Sequence, residues 1–147
     1  MHEFETLTDA VLTALLPLKA EGLKTLDMYA GQLDVDSIDE ITLQYPCIYV
    51  VADDLDVTSK NNSDEMITGV TLIIGDRNVK GSAAAAKGDT ASPGVFSLLE
   101  KARGKLHRQV MITGWTQLLL KREGVLVYSP KDKICLYAAR YELKHLS

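Results

Sequence analysis

Apolar residues first recur at three- and four-residue spacing. Phe4, Leu7, Val11, Ala14 and Leu15 predict an amphipathic helix over residues 4–16, with Thr6 and Asp9 as a capping pair. Pro17 disfavours helix at the residue before it and ends the element. A short apolar piece, TLDMY, predicts a strand closed by Gly31, and DSIDEITL (36–43) predicts one or two helical turns capped by Asp36. Pro46 then opens PCIYVVA, whose almost unbroken apolar content predicts a strand covered on both faces. The polar stretch from Asp53 to Glu65 predicts an exposed loop. MITGVTLII (66–74), apolar and β-branched, predicts a third strand.

The second helix carries the clearest signature. Val95, Leu98, Leu99, Ala102 and Leu106 make one apolar face, Ser92 is placed to cap, and Pro93 stands where a missing N–H costs nothing. Lys101, Arg103, Lys105 and Arg108 favour the negative end of the helix dipole. Beyond Gly114 the pattern returns to strands: WTQLLLKR, GVLVYS and KICLYAARYEL, with SPKDK (129–133) as a hairpin turn between the last two. In the last strand Cys135, Tyr137, Ala139, Tyr141 and Leu143 face one way, and Ile134, Leu136 and Ala138 the other. The expected fold is α+β: two main helices on one face of a mixed, mainly antiparallel sheet, with residues 1–147 as a single domain.

Composition changes this picture little. Hydrophobic residues make up 46% and charged residues 24%, as in an ordinary globular protein. No apolar run reaches the roughly 18 residues of a membrane span, and MHEFETLTDA lacks the pattern of a secretory signal, so synthesis in the cytoplasm is expected. Cys47 and Cys135 lie in strand-like runs and are expected to be buried and reduced. Charge is more informative. The net charge is −4, but residues 1–75 hold 14 acidic and 3 basic residues and residues 76–147 hold 6 and 13. Such an imbalance suits nucleic-acid binding, or a head-to-tail contact between copies, or cancels in space if the fold interleaves the halves.

Candidate chemistry centres on GDRNVKGSAAAAKGD, from Gly75 to Asp89. A phosphate-cradling loop needs glycine, then lysine, then Ser or Thr. Here Lys80 precedes Gly81, and Lys87 precedes Gly88 and is followed by Asp89, whose charge repels phosphate. The four alanines favour a short helical turn instead of an open cradle. Asp53, Asp54 and Asp56 lack the glycine and final glutamate of a calcium loop and predict a solvated acidic turn. A Cys47–His107 pair is possible by residue type, but a thiol in an apolar strand is inert and His107 predicts a surface position. No catalytic, metal or cofactor residues are expected. Aromatics are only 6%, and basic residues alternate with apolar ones, which disfavours nucleic-acid recognition. A connection of about 17 residues between two firm elements is long for a compact domain, and such connections are either binding segments or mobile surface loops without a partner. Asp76, Arg77, Asn78, Lys80, Lys87 and Asp89 are its candidate contact residues, and Gly75, Gly81 and Gly88 are expected to let it bend and refold on contact.

The segments YAGQLD, YPCIYV, GDRNVKG with AAAKGD, and PGVFSLLEKARGKL, in that order across residues 29–106, resemble the tail-terminator proteins of Mu-like contractile-tailed bacteriophages and prophages. The resemblance implies an α+β protein without enzymatic activity or cofactor. It implies a six-subunit ring that stops tail-tube polymerisation and offers a surface for joining the head. The implied partners are further copies of the chain, the tail tube protein and a head–tail joining protein, with no nucleic acid and no membrane; the implied location is the virion tail once assembled. The residues leave two other readings: a non-enzymatic interaction module without a capping role, and a phosphate- or nucleotide-binding protein.

Overall fold

The computed structural model describes residues 1–30 and 45–146. Their elements run α1 (Glu3–Leu15), a 3-10 helix (Leu16–Glu21), β1 (Thr25–Met28), β2 (Cys47–Lys60), β3 (Ser63–Arg77), α2 (Ser82–Lys87), α3 (Val95–Leu106), β4 (Leu119–Ser129) and β5 (Ile134–Leu146). The strands form one sheet in the order β1-β2-β3-β5-β4, parallel between β1 and β2 and antiparallel elsewhere. The expected α+β class, with helices against a mixed, mainly antiparallel sheet, is what the chain adopts. The turns expected over 36–43 lie outside the described residues.

The apolar periodicities decide what faces what. Leu7, Val11 and Leu15 of α1 and all five apolar-face residues of α3 pack on Ile48, Val50, Val70, Leu72, Ile74, Ala139 and Tyr141, forming the main core between helices and sheet. A smaller cluster of Tyr45, Cys47, Tyr49, Ile134 and Leu136 lies across the sheet from it. β2 is therefore covered on both faces through Val50, as its apolar run predicts. The alternation in β5 also holds, since Cys135, Ala139, Tyr141 and Leu143 join the main core and Ile134 and Leu136 the smaller one.

Four expectations need correction. The polar stretch 53–65 is not a loop. β2 and β3 run on as a hairpin to the pair Lys60↔Ser63, turning on Asn61 and Asn62. Asn61 takes a positive φ of 48°, which asparagine tolerates, and Ser59 donates across the arm to Asp64 at 2.6 Å. Strand pairing here overrides polar composition, because each backbone group finds its partner in the ladder. Secondly, α1 is capped by His2, whose Nδ1 accepts from Phe4 N at 3.0 Å, while Thr6 sits one turn inside and donates to the His2 carbonyl. Thirdly, α3 starts after Gly94, so Ser92 and Pro93 belong to the preceding turn. Lastly, the WTQL start of WTQLLLKR lies outside the strand, and its LLKR end joins GVLVYS as one strand: β4 starts at Leu119 and runs through Glu123, with bulges after Leu120 and after Val125.

Candidate interaction surface

β3 ends at Arg77 and α3 begins at Val95, and the residues between form an ordered knot, with α2 inside it. The alanine run makes the short helix its composition favours, and Ala85 and Ala86 are buried against β5, β3 and α3. Asp76 anchors the knot from inside. It is 1% exposed, its Oδ1 accepts from Arg77 N at 2.7 Å, and its Oδ2 accepts from Gly94 N at 2.8 Å. Burial pushes its carboxyl above the usual carboxylate range, against the opposing pull of those N–H groups, the Ser92 hydroxyl and Lys24. Asn78 works alongside. Its amide donates to Ser92 Oγ at 3.0 Å, its Oδ1 accepts from Lys80 N at 2.9 Å, and its N–H donates to the Lys133 carbonyl.

The neck of the knot is backbone against backbone. Gly88 and Gly94 hold φ of +81° and +83°. A Cβ on Gly88 would lie 2.2 Å from the Pro93 carbonyl oxygen, and one on Gly94 would lie 2.3 Å from Gly88 N. Gly88 thus serves a close backbone approach at a positive φ that glycine takes without strain. Between the two, Asp89 Oδ1 accepts from Ala91 N and Ser92 N, and its own N–H donates to the Ser92 carbonyl. The Ala91 N–H and the Asn78 amide hold the Asp89 carboxyl below its ordinary pKa.

The six candidate contact residues therefore come together but divide by role. Asp76 and Asn78 are buried inside the knot. Arg77 is half-buried and donates from Nε to the Asp132 carbonyl at 3.2 Å, tying the knot to the β4–β5 turn. Lys80 and Lys87 are exposed, and Lys80 Nζ lies 3.4 Å from Asp89 Oδ2. Beside them stands an aromatic ladder the sequence reading passed over. Phe96 meets Tyr137 edge-on at 5.5 Å, Tyr137 meets Tyr128 edge-on at 6.1 Å, and the two tyrosine hydroxyls are 3.2 Å apart. Phe96 and Tyr128 remain exposed, so the ladder presents apolar surface next to the knot.

The acidic triplet also has a different place from the one expected. An extra residue at the bulge between Ala52 and Asp54 turns both Asp53 and Asp54 toward Arg140, which consecutive residues of a regular strand cannot do. Arg140 Nη1 lies 2.8 Å from Asp53 Oδ1, and Nη2 lies 2.8 and 2.9 Å from the two Asp54 oxygens and 3.4 Å from Glu142. Thr71 donates to the remaining Asp53 oxygen. The guanidinium crosses β3 over Gly69, where a Cβ would come within 2.3 Å of Nη2. A glycine inside a strand pattern signals such a close approach, and Gly69 was the available clue. Arg140 occupies the position a cation would take between these carboxylates. Among the described residues no group of three or more His, Cys, Asp or Glu side chains is arranged to hold a metal ion.

Cys47 and Cys135 are both free and buried. Burial pushes the Cys47 thiol up to about 12, so it is no nucleophile, and His107 uses Nδ1 to accept from Leu120 N. Among the described residues no helix is long and apolar enough to cross a membrane.

Comparison with known proteins agrees with this architecture. No curated protein matches the sequence. Among solved structures, a chain of the "Virion of native gene transfer agent (GTA) particle" superimposes with a TM-score of 0.55 at 13% identity. The likeness covers 96% of this chain and 95% of that one, and at this identity it speaks for a shared fold. The family model described as "Bacteriophage Mu, Gp37" matches residues 4–146. With the resemblance to Mu-like phages thus extending over almost its whole length, the chain belongs to the Bacteriophage Mu Gp37 family.

Proposed function

We propose that this chain is a tail terminator: a non-enzymatic structural protein that assembles into a ring of six copies on the end of the tail tube. The ring stops tube polymerisation and offers the surface to which the head is joined. A structural role in a phage particle is supported by the family match. The observation that carries the reading further is the end-to-end likeness to a chain of a gene transfer agent virion, which covers nearly all of both chains.

In this reading the knot meets the tube or a neighbouring copy through Lys80, Lys87 and Asp89. Arg77 stands behind them, and Asp76 and Asn78 hold the shape. The partners are other copies, the tube protein and a head–tail joining protein, with the virion tail as the final location. The test is tube length. Purified protein is added to polymerising tube subunits of the same phage element, and the products are imaged by negative-stain electron microscopy. Shorter tubes with a ring at one end are expected. Uncapped tubes of unchanged length, from folded protein, overturn termination and leave a plain interaction module.

A further inference from the structure

The two oppositely charged halves of the sequence meet at Arg140 with Asp53 and Asp54 and at Lys101 with Glu21, but the acidic arm of β2 and the basic strand β4 lie toward opposite edges of the sheet. β2 pairs with β1 only through Val50, and among the described residues its remaining stretch to Lys60 has β3 as its sole strand partner. That stretch carries Asp53, Asp54 and Asp56, all exposed, with Val57 half-exposed at 50%. Arg140 answers only part of this charge, since three carboxylates surround one guanidinium. Across the sheet, β4 is the last strand and pairs with β5 alone among the described residues. It exposes Lys121 and Arg122, and the turn after it exposes Lys131 and Lys133. Between these cations lie Val125 and Leu126, each 52% exposed, and Tyr128 at 45%.

Natural sheets blunt or cover open edges, because unpaired backbone N–H and C=O groups recruit other strands. The charges on each edge here are of one dominant sign, which repels an identical edge and attracts the other. Exposed valine, leucine and tyrosine at the middle of β4 supply apolar area of the kind that anchors a protein contact. A contact between two different surfaces of the same chain is heterologous, and repeated contacts of this sort close into rings when the rotation permits.

We infer that the outer edge of β4 in one copy docks along the edge of β2 from Val51 to Lys60, which no described strand covers, in the next, adding strand to strand head to tail. The inference rests on the ring proposed above and names the surfaces that build it. Lys121 and Arg122 meet the aspartates of the neighbour's arm, and Val125, Leu126 and Tyr128 cover Val57. Charge steers the encounter and sets its direction, so a copy cannot pair β4 with β4.

The experiment uses the full chain with Asp56→Lys, with Lys121→Glu, and with both together. Both positions are exposed, so the variants keep the wild-type melting temperature. Assembly is followed by native mass spectrometry and light scattering at low ionic strength. Each single reversal is expected to raise the concentration for half-assembly at least about tenfold, and the double variant to recover most of the loss. Rings that form equally well in both single variants overturn the edge contact and leave the ring intact. Wild-type protein that remains monomeric, and leaves tube length unaltered, removes the ring and the contact together. Single variants that form normal rings but no longer cap tubes assign these edges to the tube protein, which also overturns the contact between copies.

Discussion

Gly88 and Gly94 stand back to back at the neck of the knot, each at positive φ and each with backbone where a Cβ would go. Gly94→Ala is expected to cost about 2 kcal/mol or more, because it adds a left-handed strain to a steric overlap that no rotamer relieves. Urea unfolding of the variant checks this, and an unchanged midpoint refutes the tight neck. Asp76 sets a pH dependence. Burial raises its folded pKa above the unfolded value, so the native state binds that proton more tightly. Its contribution to stability is largest below the ordinary carboxylate range and falls as pH rises through the raised value. Asp76→Asn is expected to remove that downward slope, seen as the difference between the two proteins in a pH series of unfolding curves. The cysteines give a third outcome. With thiols pushed up to about 12 at Cys47 and about 11 at Cys135, neither is expected to react with a thiol reagent until the chain unfolds.

At the level of elements, the helices and buried strands are the parts most legible in the sequence. The apolar face of α3 is buried residue for residue as its spacing requires, and the two-sided burial of β2 follows from its unbroken apolar start. What escapes periodicity is whatever depends on a partner strand. The arm from Asp53 to Glu65 shows only the short alternation at Leu55 and Val57, outweighed by polar and turn residues, and it is held by its ladder and by Arg140, which lies 86 residues from Asp54 in the chain. Helix caps escape for a related reason: backbone geometry placed them on His2 and Gly94, which the usual cap residues nearby concealed. Arg140→Gln leaves Asp53 and Asp54 side by side without their cation. With Asp54 half-exposed, the global cost is expected to stay near about 1 kcal/mol. Hydrogen exchange is expected to quicken along residues 51–60 and to stay slow in the central strands. Equal acceleration throughout refutes a local clamp.

For the molecule as a whole, the knot was legible as a functional candidate through its length, glycines and alternating charges, and Lys80 and Lys87 reach its surface while Asp89 is half-buried. The roles within it were not legible, because an aspartate that holds a backbone amide and one that faces water look alike in sequence. Lys80→Glu combined with Lys87→Glu is expected to weaken tube capping with little change in melting temperature, since both lysines are exposed and the Lys80–Asp89 ion pair has one end in water, where such pairs add little stability. Full capping by a folded double variant refutes the knot as a contact. Arg77 is a poorer choice for this test because its guanidinium ties the knot to the β4–β5 turn.

The glycine neck has an evolutionary consequence. Since the knot is closed by main chain and by buried Asp76 and Asn78, its exposed rim positions at Val79, Lys80, Lys87 and Thr90 carry little of its fold beyond the Lys80–Asp89 pair. Mutation can rewrite those positions one at a time, so under the proposed contact such a chain can follow a drifting partner without passing through an unfolded ancestor.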